Sequence, residues 1–525
     1  MAKRFNVTGT CFPHKHYMAD ISAKLKIAME MINYGDYFAI NRPRQYGKTT
    51  LLEALKRELI KSSDEWLVFN TSFEGIDSVI SSEMTSFCRA FVNLLAKEML
   101  NRGESKLEDY LRQTAKEVQS LDDVSELITK LVNKSEKKIV LLVDEVDKSS
   151  NNQLFLDFLG MLRSKFLRRE EPSDYTFHSV ILAGLHDVKS LKAKIRPDLE
   201  AKYNSPWNIA ADFDVTMELQ PNEIVPMLED YSQEHGILMD FEAVAEAIFY
   251  YTSGYPFLVS ALCKIMDENI LPTKSDKTWT VFDIETAADK LIKTDRSNTN
   301  FDTLIKNLEN DAAIYRLVYK LAIENEPFNY NIHDPIINKG ILHGIFRDGQ
   351  GLGIHNRIYR EVIVNYMTSK TITNEESLNI ETSQPYLLAN NALDMRKILL
   401  KFQELMKLEY SKRDADFLER HGRLLFLAFL KPIINGKGYA FKEVEISEER
   451  RMDIVVSFFQ HKYITELKIW RGNEAHKRGL KQLGDYLDRQ VLDMGYLVIF
   501  ENTAVKSWKK GWIKADGKKV FAVWV

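Results

Sequence analysis

The sequence predicts an α/β protein in which a parallel sheet between helices comes first and a second, smaller α/β domain comes last. Residues 139–143 are apolar without alternation, as expected for a parallel strand covered on both faces. Strand-like and helical patterns alternate over the first 220 residues, which is typical of a three-layer α/β sheet. Beyond a polar stretch rich in Ser and Thr, at residues 369–390, a new set of strand patterns begins.

The elements of the first domain, residues 1–220, follow from these patterns. In chain order, the sequence predicts a helix at 21–33, a strand from 37, a helix to about 62, a strand at 66–73, helices within 80–135, strands at 138–144 and 179–184, and a short last strand at 213–219. Open parallel sheets bind ligands at the carboxyl ends of their strands, so the site is expected there.

The segment after the first strand has the composition of a phosphate-binding loop. Residues 42–49 read Arg-Pro-Arg-Gln-Tyr-Gly-Lys-Thr, and a helical pattern follows. In such a P-loop, backbone N–H groups hold nucleotide phosphates, the lysine reaches the β and γ oxygens, and the threonine ligates Mg²⁺. Arg42 occupies the usual position of the first glycine, so Pro43 and its neighbours must make the turn. The residues expected to contact ATP are Arg44, Gln45, Tyr46, Gly47, Lys48, Thr49 and Thr50.

Two carboxylates at the end of the strand 138–144 support this interpretation. Asp144 is expected to hold Mg²⁺ together with Thr49, and Glu145 to polarise the attacking water. Taken singly, Lys48 is equally explained as a lysine at a helix N-terminus, and the Asp-Glu pair as a helix cap. The two motifs in this order favour an ATP site.

Residues after the fourth strand carry weaker signals. His186 or Asp187 stands where a residue that senses the γ-phosphate is expected, although Asp187 equally suits a helix N-cap. Arg196 is a candidate arginine finger, against the commoner alternative of a surface arginine.

The middle of the chain is predicted to be mainly helical. Residues 221–298 suit a helical lid, with a turn at 252–256 before an apolar helix. Residues 299–368 contain short helices and then strand patterns at 340–346 and 353–359, which resemble the wing of a winged-helix module. Whether such a module binds DNA or braces the lid stays open.

Composition bounds the function classes. At 45% hydrophobic and 28% charged residues, the chain is ordinary globular material. Its three cysteines, at positions 11, 88 and 263, are far apart and argue against a disulfide framework or a zinc site. The N-terminus lacks an apolar signal core, and no run reaches membrane-spanning length. We therefore expect a cytoplasmic protein without a membrane partner.

The net charge of −4 conceals an asymmetry between the two ends of the chain. Residues 391–525 contain 26 Lys and Arg against 18 Asp and Glu, a net +8, which leaves −12 for residues 1–390. A basic tail on an acidic front favours contact with a polyanion, although ordinary variation in surface charge is the alternative.

The tail also carries a pattern of charged residues on strands. Glu466 and Lys468 share one face of a predicted strand, and Asp453 lies on the strand before it. Two carboxylates can hold Mg²⁺, with Mn²⁺ as an alternative, and the lysine can position water, which is phosphodiester chemistry. Glu419 is a further candidate metal ligand, and Gln482 a residue that orients water or phosphate. A Glu-x-Lys pair is also common on a solvated strand face.

The tryptophans at 470, 508 and 512 stand among lysines and could stack on bases, with core or edge packing as the alternative. The residues do not decide between DNA and RNA; we favour DNA.

With these residues in view, nearly the whole chain resembles a bacterial group that fuses an AAA-like ATPase domain to a nuclease-like domain of the PD-(D/E)XK superfamily. The loop Pro43-Arg-Gln-Tyr-Gly-Lys-Thr49 is similar to that group's glycine-poor variant. Its N-terminal signature resembles Phe5-Asn-Val-Thr-Gly9. The four motif positions of the superfamily resemble Phe417–Arg420, Arg451–Asp453, Glu466–Lys468 and Gln482–Tyr486.

The resemblance implies metal-dependent phosphodiester cleavage by residues 391–525, on a four-stranded mixed sheet flanked by helices. The leading hypothesis is therefore an ATPase coupled to a Mg²⁺-dependent nuclease, in defence against foreign DNA or in the biology of mobile elements. It would form a homo-oligomer through the ATPase domain. The rival is a nucleotide-switched signalling or scaffold protein whose tail binds nucleic acid without cutting it.

Overall fold

The computed structural model describes most of the chain and divides it into two compact units. The described residues are 3–76, 80, 83–146, 153–184, 207–294, 299–324, 328–349, 351–374, 386–409, 425–431, 433–434, 438–442, 453–459, 461–470, 480–481, 483–485, 487–488, 492–501, 506–515 and 517–525. The first unit comprises Met1–Leu304, Ile332–Arg347 and His355–Ile358; the second comprises Ile305–Asn331, Asp348–Ile354 and Tyr359–Val525. The domain boundaries at residues 220, 298, 368 and 390 stay predictions.

A four-stranded parallel sheet forms the centre of the first unit. Its strands are β1 (Tyr37–Asn41), β2 (Trp66–Ser72), β3 (Lys138–Asp144) and β4 (Ser179–Gly184), in the order β1-β4-β3-β2. Asn41 pairs with Gly184, and Ser72 with Asp144, so the strands end together at one edge. Most of their residues are buried, which explains the apolar runs without alternation. This parallel α/β architecture confirms the predicted fold class of the N-terminal part.

Helices surround this sheet and begin and end where the sequence provides caps. They are α1 (Ser22–Tyr34), α2 (Lys48–Ser62), α3 (Met84–Arg102), α4 (Ser105–Glu117), α5 (Leu121–Lys134) and α6 (Gln153–Leu167). Helix α1 ends at Gly35, which is left-handed at φ 76°, and α5 begins with a capping box between Ser120 and Asp123. Apolar side chains from α3, α5 and α6 pack against the strands in one core.

The predicted last strand at 213–219 is wrong. The described residues 207–220 form no strand, and their backbone pairs with the sheet only through an isolated bridge between Phe38 and Ala211. Residues 213, 215, 217 and 219 are buried in alternation, as in an extended chain. Alternation correctly indicates this conformation, but it does not by itself establish a hydrogen-bonded ladder with a neighbour.

Residues 221–294 are largely helical, as predicted. The elements are α7 (Pro221–His235), β5 (Leu238–Met239), α8 (Phe241–Thr252), α9 (Pro256–Ile265), β6 (Thr278–Trp279) and α10 (Val281–Thr294), with β5 and β6 paired in parallel. Gly254, in the turn before α9, has φ +72°, and a Cβ there would lie 2.3 Å from the backbone oxygen of Leu219. This close approach of two backbones requires glycine.

Residues 299–374 form short helices, a hairpin and a longer helix, and the hairpin at 346–354 lies largely between the two predicted strands, 340–346 and 353–359. The elements are α11 (Thr299–Glu309), α12 (Ala312–Tyr319), α13 (Pro335–Leu342), β7 (Phe346–Gly349), β8 (Gly351–Ile354) and α14 (Arg357–Asn374). The predicted strand at 340–346 is wrong in its first part, because α13 extends to Leu342. Asp334 caps α13 and Pro335 occupies its first turn, a helix-start signal that the strand prediction overlooked. Helix α14 also covers residues 369–374 of the predicted linker.

The second unit contains a six-stranded mixed sheet. Helix α15 (Met395–Glu409) and helical residues 425–431 precede the strands. These are β9 (Gly438–Lys442), β10 (Asp453–Phe458), β11 (His461–Ile469), β12 (Met494–Phe500), β13 (Lys510–Ala515) and β14 (Lys518–Trp524). The order is β13-β14-β12-β11-β10-β9. The pairs β11–β12 and β12–β14 are parallel and the others antiparallel. Strands β13 and β14 were not among the predicted elements.

Each face of this second sheet carries a core. Side chains of α15 and residues 425–434 pack on one face, against Leu467 and Val498 among others. Leu483 and Leu487, both in helical segments (483–485 and 487–488), pack on the other face against Ile464 and Leu497. Among the described helices of the whole chain, none combines the length and apolar composition required to cross a bilayer.

Candidate functional site

The loop between β1 and α2 turns sharply to start the helix. Gly47 is left-handed at φ 83° and immediately precedes Lys48, the first residue of α2. A Cβ on Gly47 would meet nothing within 4 Å, so glycine is needed for its backbone conformation and not for space. Gln45 is also left-handed, at φ 57°. Two such residues within three positions give the loop the curled backbone that a phosphate site requires.

Lys48 is held inside this loop. Its side chain is buried, and Nζ donates to the carbonyl oxygens of Arg42 at 2.9 Å and Pro43 at 2.8 Å. The ammonium therefore lies within the curve of the loop, at the N-terminus of α2, where a helix attracts anions. Phosphate oxygens could replace the two carbonyl acceptors without moving the lysine out of the loop.

Thr49 joins the loop to the carboxyl end of β3. Its Oγ1 donates to Oδ2 of Asp144 at 2.5 Å, and the backbone N–H of Glu145 donates to Oδ1 of the same carboxylate at 2.9 Å. A hydroxyl and a carboxylate in contact fit Mg²⁺, which prefers oxygen ligands and keeps several waters. The two residues, 95 positions apart in sequence, thus lie where the sequence analysis expected a shared ion.

Glu145 follows β3 in an uncommon backbone conformation. Its φ is +53°, in the left-handed region that a non-glycine residue adopts at a cost of about 1 kcal/mol. The strain turns the chain sharply after Asp144, beside the loop of residues 42–49. This placement is compatible with the predicted role of Glu145 toward water.

Arg42 explains how the loop forms without its usual first glycine. The backbone N–H of Arg42 donates to the oxygen of Gly184 at 3.1 Å, which continues the pairing of β1 with β4. Its guanidinium leaves the loop and donates to the oxygen of Val215 at 2.8 Å. The side chain is therefore directed away from the curve of the loop.

Residues distant in sequence surround the outer side of the loop. The hydroxyl of Tyr46 lies 2.7 Å from Oε1 of Glu218 and 2.6 Å from Nε2 of His355. Tyr255 donates its hydroxyl hydrogen to the oxygen of Arg44 at 2.6 Å. Because the Tyr46 side chain is occupied in this way, its backbone N–H is the group available to a phosphate.

The sequence analysis assigned no role to these partners. Tyr255 lies in the predicted turn at 252–256 and His355 in the predicted strand at 353–359, and neither pattern indicates a contact with the loop. Asn300 also joins the set, since its Nδ2 donates to Oε1 of Gln45 at 2.7 Å.

The segment that follows residues 5–9 contacts α2 through Cys11. The backbone N–H of Cys11 donates to Oγ1 of Thr50 at 3.1 Å, and Asn6 organises the turn before it through bonds to the oxygens of Gly9 and Thr10. Thr50 therefore uses its hydroxyl to anchor residues 10–12 beside the first turn of α2.

Burial sets the charge of His355. Desolvation lowers the pKa of His355 from 6.5 to about 4, although the nearby Glu218 opposes this shift and Arg347 adds to it. Neutral His355 can donate Nε2–H to the Tyr46 oxygen, which leaves the tyrosine hydrogen for the carboxylate of Glu218. Burial also raises the pKa of Tyr46 well above its usual value, so its hydroxyl stays protonated.

Acid is therefore expected to destabilise the fold around His355. The unfolded chain takes up a proton on this residue below pH 6.5, whereas the folded chain does so near pH 4, so stability falls as the pH drops through that window. His355→Gln should remove about 2 kcal/mol of the stability loss between pH ~7 and ~5. Urea unfolding at both pH values measures this loss, with the exposed His333→Gln as control. An equal loss in wild type and His355→Gln would contradict the assignment.

In the second unit, the structure brings together two of the charged residues predicted for cleavage. Glu466 is 3% exposed, and its Oε1 lies 2.8 Å from Nζ of Lys468. The antiparallel register of β10 and β11 places Asp453 directly opposite Glu466. Glu466 is therefore buried, and the Lys468 side chain is 14% exposed, which differs from the solvated face of the alternative interpretation.

The remaining members of that predicted set lie outside the described residues, namely Glu419 and Gln482, together with His186, Asp187 and Arg196 of the first domain. Among the residues that the structure does describe, no group of three or more His, Cys, Asp or Glu side chains is arranged to hold a metal. Two pairs of residues are candidates for part of a metal site, namely Thr49 with Asp144 and Glu466 with Asp453. Each pair would need phosphate oxygens, water or further residues to complete the coordination of the metal.

The three tryptophans differ in exposure. Trp470 packs on the core of Leu483 and Leu487, and Trp508 on the core of α15, so both serve packing. Trp512 is 51% exposed on β13.

The comparisons with known proteins concern the first part of the chain. The model of the AAA-like domain family matches residues 12–274. No curated protein matches the chain. Among solved structures, the Walker-type ATPase PABY2304 of Pyrococcus abyssi is 12% identical, with 68% of this chain and 99% of that chain covered and a TM-score of 0.47.

Two further solved structures are similar at lower scores. ORC2 of Aeropyrum pernix, in its ADPNP–ADP complexes, is 14% identical over 66% of this chain and 93% of that chain, with a TM-score of 0.37. RuvB of Thermotoga maritima, a Holliday junction branch migration motor, is 16% identical over 65% and 92%, with a TM-score of 0.32.

The family match extends over half of the chain. It includes the loop of Lys48, the strand end at Asp144 and the helices that follow up to residue 274. The protein therefore belongs to the AAA-like domain family and contains an ATPase domain of the P-loop type.

Proposed function

We propose that the protein binds and hydrolyses ATP with Mg²⁺ in its first domain and couples this to Mg²⁺-dependent phosphodiester cleavage, of DNA in preference to RNA, by residues 391–525. The observation that carries the proposal is the contact of Thr49 with Asp144. This contact joins the loop that would hold the phosphates to the strand end that would hold the metal.

In the nucleotide half, each residue has a role that its position supports. The loop N–H groups and Lys48 would hold the β- and γ-phosphates, and Thr49 and Asp144 would bind Mg²⁺, directly or through water. When bound, Mg²⁺ neutralises charge that develops on the phosphates. Glu145, turned sharply after β3, would accept a hydrogen bond from the attacking water and orient it.

In the tail, Glu466 would act as a metal ligand with Asp453, and Lys468 as the group that positions water. When bound, the metal ion lowers the pKa of a coordinated water and stabilises charge on the phosphate. The mixed sheet with helices on both faces supports this assignment, as does the net charge of +8 on residues 391–525. The roles of Glu419 and Gln482 stay predictions from the resemblance.

One observation favours a second candidate function. Glu466 already has an ammonium partner at 2.8 Å and is almost fully buried, an arrangement that also suits a purely structural ion pair. The alternative is a nucleotide-switched scaffold whose tail binds nucleic acid without cutting it.

Cleavage of labelled DNA and of RNA of the same sequence, with Mg²⁺ or Mn²⁺ and with or without ATP, tests the coupled function. We expect cutting that requires the metal and changes at least severalfold with ATP. An equal rate of cutting with and without ATP would contradict the coupling. If the protein hydrolyses ATP but cuts neither DNA nor RNA, the scaffold function is favoured.

A further inference from the structure

The second unit contains a basic cleft on the sheet face opposite the Glu466–Lys468 pair. The cleft encloses about 490 Å³ and is lined by Tyr386, Lys397, Leu400, Lys401, Gln403, Glu404, Lys407 and Lys510. Four lysines face one glutamate, and this glutamate pairs with Lys401 at 3.3 Å. The lining thus carries a net positive charge from two elements, α15 and the edge strand β13.

The alternation of side chains along β11 shows on which face of the sheet the cleft lies. Leu467 packs in the core beneath α15, whereas Ile464 packs in the core on the other face. Because Glu466 and Lys468 share the face of Ile464, the sheet separates them from the cleft. A ligand in the cleft therefore does not occupy the candidate cleavage site.

An aromatic group extends the basic surface along β13. Lys510, Trp512 and Lys514 are exposed and occupy alternate positions, so they share one face of the strand. The Trp512 ring packs edge-on against Phe521 at 5.2 Å, and the guanidinium of Arg396 lies over the same Phe521 ring at 5.7 Å. Arg396 belongs to α15, so the two walls of the cleft meet at this ring.

Both walls are positioned by contacts that fix their spacing. Gln403 of α15 is buried, and its Nε2 donates to the oxygens of Lys509 at 2.9 Å and Trp524 at 2.8 Å. Lys407 lies over the ring of Trp508 at 5.6 Å. From Lys397 to Lys407 the helix advances about 15 Å, which presents a row of charges and not a single point.

We propose that this cleft, with Trp512, binds a single strand of nucleic acid outside the candidate cleavage site. The lysines of α15 and β13 would contact consecutive phosphates, and the exposed ring of Trp512 would stack on a base. A single strand fits better than a duplex, since its bases are free to stack on an aromatic ring. The inference extends the proposed function to how nucleic acid is retained, but it requires binding and not cutting.

The test is fluorescence anisotropy of the full-length protein with a labelled oligothymidylate of about 16 nucleotides and with a duplex of equal length. Mg²⁺ is omitted so that cleavage plays no part, and the salt concentration runs from about 50 to about 200 mM. Lys401→Glu/Lys510→Glu should weaken binding of the single strand at least about tenfold. It should also reduce the slope of log affinity against log salt by about 1.4, for two lost phosphate contacts.

Matched variants separate the contribution of the cleft from that of overall charge and from that of base stacking. Lys306→Glu/Lys462→Glu makes the same change of charge at two exposed lysines elsewhere in the second unit, and should alter affinity less than about threefold. Trp512→Ala should weaken binding of the single strand about tenfold and binding of the duplex much less.

Three results would overturn the proposal. Wild-type affinity in the Lys401/Lys510 double variant, with circular dichroism showing both proteins folded, would exclude the cleft. Equal losses of affinity in the two double variants would indicate that binding depends on overall charge and not on the cleft. Binding to phosphatidylserine vesicles, without binding to the oligonucleotide, would assign the surface to lipid.

Discussion

Replacing Lys48 by alanine is expected to lower ATP hydrolysis about 100- to 1000-fold and to weaken nucleotide binding more than about tenfold. The ammonium lies inside the loop, within 2.9 Å of two loop carbonyl oxygens, at the N-terminus of α2. A phosphate bound there would gain a charged hydrogen bond in a largely buried environment, where such bonds are strongest. Loss of that bond removes a contact that strengthens as charge develops on the γ-phosphate.

The Lys48 variant needs a control because its side chain also supports the loop. Lys48→Ala removes two hydrogen bonds to backbone oxygens, so some loss of thermal stability is expected as well. Lys61→Ala is a matched control, since Lys61 is exposed in the last turn of the same helix and should retain wild-type hydrolysis. Labelled-nucleotide titration and phosphate release measure the two effects. ATP binding of wild-type strength in folded Lys48→Ala would exclude this loop as the nucleotide site.

Local patterns in the sequence were sufficient to predict the elements that surround the nucleotide site. The apolar run before Asp144 and the turn at Gly47 each depend on neighbouring residues, and both elements lie where predicted. Elsewhere, pairing was decided by distant contacts. Residues 213–219 alternate in burial, yet the oxygen of Val215 accepts from the guanidinium of Arg42, and no ladder forms there.

The partners on the outer side of the loop could not be predicted for the same reason. Tyr46 and His355 are 309 positions apart, and a buried neutral histidine has no local signature. Gly340 illustrates a different limit. A Cβ at this residue of α13 would lie 2.2 Å from the ring of Phe346, so the glycine serves helix-to-strand packing and not the predicted strand.

In the tail, the sequence placed Glu466 and Lys468 on one strand face, and the structure adds that Glu466 is buried and contacts the largely buried Lys468. It did not predict β13, because a short strand in which lysine alternates with aromatic or small residues lacks a continuous apolar run. The strand β14 does contain such a run, at residues 520–524, which the strand prediction overlooked. The basic cleft depends on β13 and on α15, and no local pattern joins the two.

Changing Glu466 to glutamine is expected to lower metal-dependent cleavage at least about 100-fold while ATP hydrolysis stays at the wild-type level. Glutamine keeps the size of the side chain but loses the charge that would bind a divalent cation. Because Glu466 is 3% exposed and contacts Lys468, the substitution also leaves a largely buried ammonium without its counter-charge. A loss of activity alone would therefore not distinguish a metal ligand from a structural ion pair.

Glu466→Gln/Lys468→Met removes both charges and so avoids the unpaired ammonium. We expect this double variant to recover thermal stability toward wild type but to stay inactive in cleavage, because stability depends on charge balance and catalysis on the carboxylate. Asp488→Asn, an exposed carboxylate among the helical residues that pack on the same sheet face and outside the motif Gln482–Tyr486, should cut normally. Cleavage by the stable double variant would show that the pair is structural, and the tail would then be a binding domain governed by the ATPase.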